Sequence, residues 1–345
     1  MSLYRKLIAP GLFRMSADRS HAAAHAALRL PAPWRLLSMA EGLNVDDARL
    51  KTRFAGIDLP NPVGLAAGFD KNAELLEGLS CLGFGFICVG SIMPEARYGN
   101  PFPRLVRYPS RQSIADSMGV PSKGRPFAVD QLKRRATRRV PVFANVGGFS
   151  SEQIADGINA VQPYVDLVEI SLMCPNVLAP GEVFDEIAML RGVLDRIEGR
   201  ALSAIVRVPN DTTQIPDRFA ELIEVCVSAG VAGLKVGGGR RVPEPGLGTG
   251  VGTLHGRDIF DAALANVERA AGFARGRIPI KGNGGVSSAA DVLAMRRAGA
   301  TCVDLYSAFV YQGWTVARDI NRELAPLWQT SGRSSDVAAA ARLAS

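Results

Sequence analysis

From about residue 46 onward, short apolar runs alternate with longer stretches in which apolar positions recur every three or four residues. The short runs read as strands at 62–68, 83–90, 140–146, 165–171, 202–208, 232–238, 278–284 and 301–307. The longer ones read as helices near 71–81, 126–136, 151–162, 183–198, 215–229, 259–273, 288–298 and 309–326. Strands apolar on both faces, strictly alternating with helices, imply a parallel sheet covered by helices. Eight units are the number that closes a ring, so the pattern predicts a (β/α)8 TIM barrel spanning 46–330. An open doubly wound sheet is the rival, and it has no reason to stop at eight.

Around this core, Thr52–Leu59 reads as a hairpin able to plug the barrel bottom. Segments 91–125 and 239–257 read as long functional loops, the second a Gly- and Pro-rich lid. Residues 331–345 read as a frayed tail. Residues 1–45 differ: Leu3, Tyr4, Leu7, Ile8, Leu12 and Phe13 share one face of a short helix interrupted near Pro10. A second amphipathic stretch runs from Ala22 to Leu30, followed by Trp34, Leu36 and Leu37. Lys6, Arg14, Arg19, Arg29 and Arg35 lie among them, which suits an anionic membrane surface; a helical cap packed on the barrel is the equal alternative.

The chain has 345 residues, 47% of them hydrophobic, enough for one large core and an appendage. Its net charge is +7, but the arginines are dispersed and form no stripe interleaved with aromatics, so no nucleic-acid partner is expected. Three scattered histidines and five cysteines without a Cys-x-x-Cys pair predict no metal site and reduced thiols. No run of 18 apolar residues or secretory signal is found, which places the expected location on the cytoplasmic side, peripheral at most.

Candidate chemistry concentrates where strands end. Gly282-Asn283-Gly284-Gly285-Val286-Ser287 closes the seventh strand, and Tyr306-Ser307 closes the eighth. Each opens a helix whose first N–H groups lack intrahelical partners, and in a TIM barrel this pair of turns is where phosphate binds.

Pro62-Val63-Gly64-Leu65-Ala66-Ala67-Gly68-Phe69-Asp70-Lys71-Asn72 resembles the first-strand motif of the dihydroorotate dehydrogenases, flavin enzymes of pyrimidine synthesis. Gly83-Phe84-Gly85-Phe86, Val89-Gly90-Ser91, Gly99-Asn100-Pro101 and Pro103-Arg104-Leu105 extend the likeness, which covers about residues 3–325. Leu3-Tyr4-Arg5-Lys6, Leu12-Phe13 and Asp18-Arg19-Ser20-His21 are similar to the membrane-associated, quinone-reducing class. The resemblance implies an FMN-bearing barrel and an N-terminal helical domain through which quinone reaches the flavin.

By that resemblance, Ala66, Ala67 and Gly68 line the flavin ring, Ser91 and Asn145 contact it, and Gly256, Gly284, Gly285, Tyr306 and Ser307 hold the phosphate. Small residues at a strand end admit a flat ring, and Lys71 offers a cation for a substrate carboxylate or reduced flavin. Alternatively, Lys71 is an exposed lysine in a first helical turn, and Ser91 and Asn145 are satisfied turn residues. Cys174, in Ser171-Leu172-Met173-Cys174-Pro175-Asn176, falls on the family's catalytic base, where the quinone class has serine and the soluble classes cysteine. A thiol of pKa about 8.5 serves as a base if brought toward working pH; the alternative is an inert buried cysteine.

The departures are as informative. Of the asparagines that grip dihydroorotate in the family, Asn176 remains, while the positions aligned to the others hold Asp116, Ser171 and Gly238. The flavin-facing lysine of strand five appears as Arg207, still a cation for reduced flavin. The sequence therefore leaves several readings open. One is an FMN-dependent oxidoreductase acting on a CH–CH bond beside a carbonyl, with an altered substrate; another is an orthodox quinone-linked dihydroorotate dehydrogenase. The others are a flavin-free phosphate-binding lyase or isomerase, and a non-catalytic flavoprotein or membrane scaffold.

Overall fold

The computed structural model describes residues 3–135, 139–172, 185–197, 204–208 and 216–328. Eight parallel strands close on themselves in chain order: β1 (Val63–Leu65), β2 (Ile87–Ile92), β3 (Val142–Gly147), β4 (Leu167–Ser171), β5 (Ala204–Arg207), β6 (Gly233–Gly237), β7 (Ile280–Asn283) and β8 (Ala300–Leu305). All eight expected strands are present, and β8 pairs back onto β1 through Val303 with Val63 and Leu305 with Leu65. Helices cover the outside, among them Arg125–Arg134, Ser151–Val161 and Phe260–Ala274.

Two helices depart from expectation. The first shrinks to Leu76–Leu79, because the Asp70 carboxylate accepts the backbone N–H groups of Glu74 and Leu75 at 2.9 Å and holds the preceding segment in a turn. The last splits into Ser307–Gln312 and Val316–Trp328 at Gly313, where φ is +78°. The Tyr4 ring lies 2.2 Å from where a Cβ on Gly313 would sit, so the N-terminal segment and this break require each other.

The bottom of the barrel is plugged as the sequence suggests. Thr52–Phe54 pairs antiparallel with Ile57–Leu59, and Phe54 and Leu59 bury against Phe86, Cys88, Phe143, Leu167, Ile205 and Cys302. Burying each large apolar side chain contributes about 1.5–3 kcal/mol. At the top, the two expected loops join in one sheet, beside a small pairing of Ala96–Arg97 with Ser122–Lys123 within the first. Leu105–Tyr108, Ser113–Asp116, Val251–Gly256 and Arg240–Pro243 form four antiparallel strands in that order, so 239–257 is pinned by ladder hydrogen bonds where a free lid was expected.

The N-terminal segment runs through Tyr4–Ile8, Ala9–Arg14, Ala17–Leu28 and Pro31–Glu41. Pro10 stands where the wider π-helical turn Tyr4–Ile8 passes directly into the α-helix Ala9–Arg14, so the helix changes type near Pro10. Tyr4 Oη donates to Val310 O at 2.6 Å, the Tyr4 and Trp34 rings pack edge-on against Trp314, and Arg29 pairs with Glu74 at 2.9 Å. These contacts seat the helices on the barrel's C-terminal rim.

Candidate active site

The C-terminal ends of the strands surround a cavity of about 190 Å³. Strand ends contribute Ala66, Ala67, Gly68, Ser91, Asn145, Arg207, Gly238, Asn283 and Tyr306, and the sheet above supplies Ile114, Asp116, Thr253 and His255. Lys71, from the turn after β1, also faces it. The structure thus brings nine of the sequence-selected residues to one chamber: Ala66, Ala67, Gly68, Lys71, Ser91, Asp116, Asn145, Arg207 and Tyr306.

The phosphate candidates sit differently. Gly256, Gly284 and Gly285 have φ values of +101°, +117° and +72°, a region that side chains other than glycine's rarely adopt. They also converge: a Cβ on Gly285 would lie 2.7 Å from Gly256 O, and one on Gly284 3.3 Å from Gly238 O. They and Ser307 lie outside the lining of the main chamber, as does the buried Ser171 at the end of β4. Cys174 and Asn176 lie outside the described residues.

Lys71 Nζ donates to Gly68 O at 2.5 Å. Burial pushes its pKa down to about 8, against the pull of Asp116 and Asp70, with Arg104 adding to the fall. Across the chamber Asp116 Oδ1 accepts from Met118 N–H at 3.2 Å, and Oδ2 lies 2.8 Å from His255 Nε2. Burial alone would raise the Asp116 carboxyl; the bond and charge of His255, with Met118 and Lys71, outweigh it and hold it below its ordinary value.

Beneath the chamber lies a cluster that the sequence reading passed over. Glu169 of β4, Lys235 of β6, Lys281 of β7 and Asp304 of β8 point into the barrel and are buried. Lys281 Nζ lies 2.6 Å from Glu169 Oε2 and 2.9 Å from Asp304 Oδ2; Lys235 Nζ lies 3.1 Å from Glu169 Oε1 and 3.4 Å from Asp304 Oδ2. Asn145 Nδ2 donates to Glu169 at 2.7 Å, and Asn283 Nδ2 donates to Asp304. Asn145 Oδ1 is buried and has no hydrogen-bond partner among the described residues. The available signal was a charged residue inside each of four largely apolar runs. His255 and Thr253 carried no comparable signal.

A second, apolar cavity of about 220 Å³ lies between the N-terminal helices and the barrel, lined by Tyr4, Phe13, His21, Trp34, Phe69, Phe309 and Trp314 among others. It shares Leu105, Ile114 and Tyr306 with the first, so the two chambers adjoin. His21 and His25 pack 4.2 Å apart; burial, then the Lys71 charge, keeps both neutral, with His25 lowered to about 4. Arg107 donates to Ser20 Oγ at 3.0 Å and tethers the helices at this wall. Among the described residues no helix is long and apolar enough to cross a membrane, and no three potential metal ligands cluster.

Comparison with known proteins agrees with this geometry. The family model for dihydroorotate dehydrogenase matches residues 49–327. A protein of Deinococcus deserti named dihydroorotate dehydrogenase (quinone) is 34% identical, over 96% of this chain and 97% of its own length. One of Roseiflexus castenholzii with the same name is 32% identical, over 94% and 93%. The crystal structure of DHODH from Eimeria tenella in complex with ferulenol superposes with a TM-score of 0.77 at 23% identity, covering 93% of this chain and 95% of that one, a likeness of fold.

Proposed function

The chain belongs to the dihydroorotate dehydrogenase family of FMN-dependent oxidoreductases, and from that premise we propose that it oxidises dihydroorotate to orotate and delivers the electrons to a quinone. The observation that carries this reading is the pair of adjoining chambers, one polar and ringed by strand ends, the other apolar and roofed by the N-terminal helices. The relatives' names supply substrate and acceptor.

The residues present fit FMN. The buried, unpartnered Asn145 Oδ1 suits an N–H of the flavin ring, and the converging Gly256, Gly284 and Gly285 form a cradle that any side chain would fill. Backbone N–H groups there and at Tyr306 and Ser307 would hold the phosphate, as helix starts do for anions. Ala66, Ala67 and Gly68 leave room for the ring, with Ser91 beside it. When bound, FMN supplies the hydride acceptor and the electron relay.

Lys71 would hold the substrate carboxylate, since its ammonium faces the chamber. Cys174 would accept the proton leaving substrate carbon, and Asn176 would grip the substrate ring; Ser171, buried outside the chamber lining, would not reach it. Arg207 would place positive charge where reduced flavin needs it. Tyr306, common to both chambers, would part water-soluble substrate from quinone. The N-terminal helices would rest on the cytoplasmic face of the membrane: Leu7, Leu36 and Met39 are 67%, 69% and 82% exposed, with Lys6 and Arg35 near them in the chain. Growth of a pyrimidine auxotroph on the cloned gene tests the reading, and failure to grow with protein expressed counts against it.

A second reading is favoured by Asp116. A carboxylate held ionised beside His255 opposes a substrate carboxylate and suits a ring that presents a hydrogen-bond donor at that wall. The reaction class is unchanged; the substrate differs.

A further inference from the structure

Barrel interiors are ordinarily filled by layers of branched apolar side chains. Here the lowest layer obeys that rule, with Phe86, Phe143, Ile205 and Cys302 around the plugging Phe54. The layer above it is ionic. Two ammoniums and two carboxylates, Lys235, Lys281, Glu169 and Asp304, form a closed four-membered ring of contacts between 2.6 and 3.4 Å. Lys281 is wholly buried, its Nζ 5.3 Å from the Phe86 ring centre, whereas Lys235 keeps 5% exposure and lines the upper chamber.

Stability does not explain this layer. Desolvating four charges costs as much as their attraction returns, and apolar residues of similar volume generally do as well or better. The position does explain it. The group forms the floor of the chamber assigned to FMN: Glu169 and Lys235 both line it, beside Asn145, which Glu169 orients.

We propose that the Glu169–Lys235–Lys281–Asp304 quartet sets the redox potential of the bound flavin, with Lys235 favouring the reduced, anionic form and the two carboxylates restraining that effect. This rests on the FMN reading above. The neutral sum is the working principle: removing any one member leaves an uncompensated charge of known sign in a low-dielectric floor, where charges act strongly. Lys235→Met leaves two carboxylates against one ammonium. Glu169→Gln or Asp304→Asn leaves two ammoniums against one carboxylate.

The test is the midpoint potential of FMN in the holoprotein, titrated anaerobically with a reference dye. K235M should disfavour reduced flavin by at least tenfold, a fall of about 30 mV for a two-electron couple, and E169Q should shift the potential as far in the opposite direction. D304N should follow E169Q, and it carries the positive arm should E169Q fail to fold. K235R, which keeps the charge, should restore the wild-type potential. A merely structural quartet would lower the melting temperature in every variant without a sign reversal in potential. Yellow variants whose potentials move together, or by less than twofold, overturn the quartet's role and leave the FMN reading intact. Purified protein that takes up no FMN overturns both.

Discussion

His255 Nε2 stands 2.8 Å from Asp116 Oδ2, each projecting into the chamber from neighbouring antiparallel strands. The pairing register sets Thr253 opposite Asp116, so His255 reaches the carboxylate diagonally, as long side chains on one sheet face do. Asp116 is thereby a fixed negative charge across the chamber from Lys71. Asp116→Asn should tighten orotate binding by about tenfold or more, roughly 1.4 kcal/mol, read as perturbation of the flavin spectrum. Weaker binding in D116N would show that Asp116 assists the carboxylate.

Lys71, if it holds the substrate carboxylate as proposed, should govern the alkaline side of the pH profile. Burial lowers its pKa to about 8. In that role its useful form would be the protonated one, so substrate capture should be complete below that value and be lost as pH rises through it. The kcat/KM for dihydroorotate should fall above about pH 8, and Lys71→Met should lower it by about 100-fold, near 3 kcal/mol, and flatten the limb. An unchanged alkaline limb in K71M assigns it to another group.

Cys174→Ala should abolish steady-state turnover while FMN remains bound at full stoichiometry. Turnover at the wild-type rate removes the thiol from proton transfer.

Gly313 couples the N-terminal helices to the barrel. Gly313→Ala puts a methyl into the Tyr4 ring at a φ of +78° and should destabilise that docking by about 1–3 kcal/mol. Limited proteolysis should then cut within residues 3–41 faster than in the parent, with the barrel fragment persisting. Equal cleavage rates would mean that Tyr4 does not hold the segment.

Membrane contact is tested at Leu7 and Leu36, both largely exposed. Leu7→Glu with Leu36→Glu should reduce co-sedimentation with anionic vesicles at least about tenfold, given about 1.5–3 kcal/mol for each side chain withdrawn from water. Retained binding moves the contact elsewhere.

The barrel was legible because its strands are short, apolar on both faces and regularly spaced, and because the plug at Phe54 and Leu59 is a local hairpin. The upper sheet was not: Ser113–Asp116 pairs with Val251–Gly256, well over a hundred residues away, and local periodicity carries no trace of such a partner. The chamber-lining residues near β1 were legible because small residues and a lysine crowd one strand end. Glu169, Lys235, Lys281 and Asp304 were missed because each, taken singly, is a lone charge within its own strand; only barrel closure sets the four together. His255 became a candidate once the sheet placed it beside Asp116.

The most direct measurement is a visible absorbance spectrum of the purified protein, followed by anaerobic mixing with dihydroorotate and then a quinone. The account predicts a yellow protein that bleaches with the first and regains its colour with the second. A colourless protein, or a yellow one that dihydroorotate leaves unbleached, would contradict it.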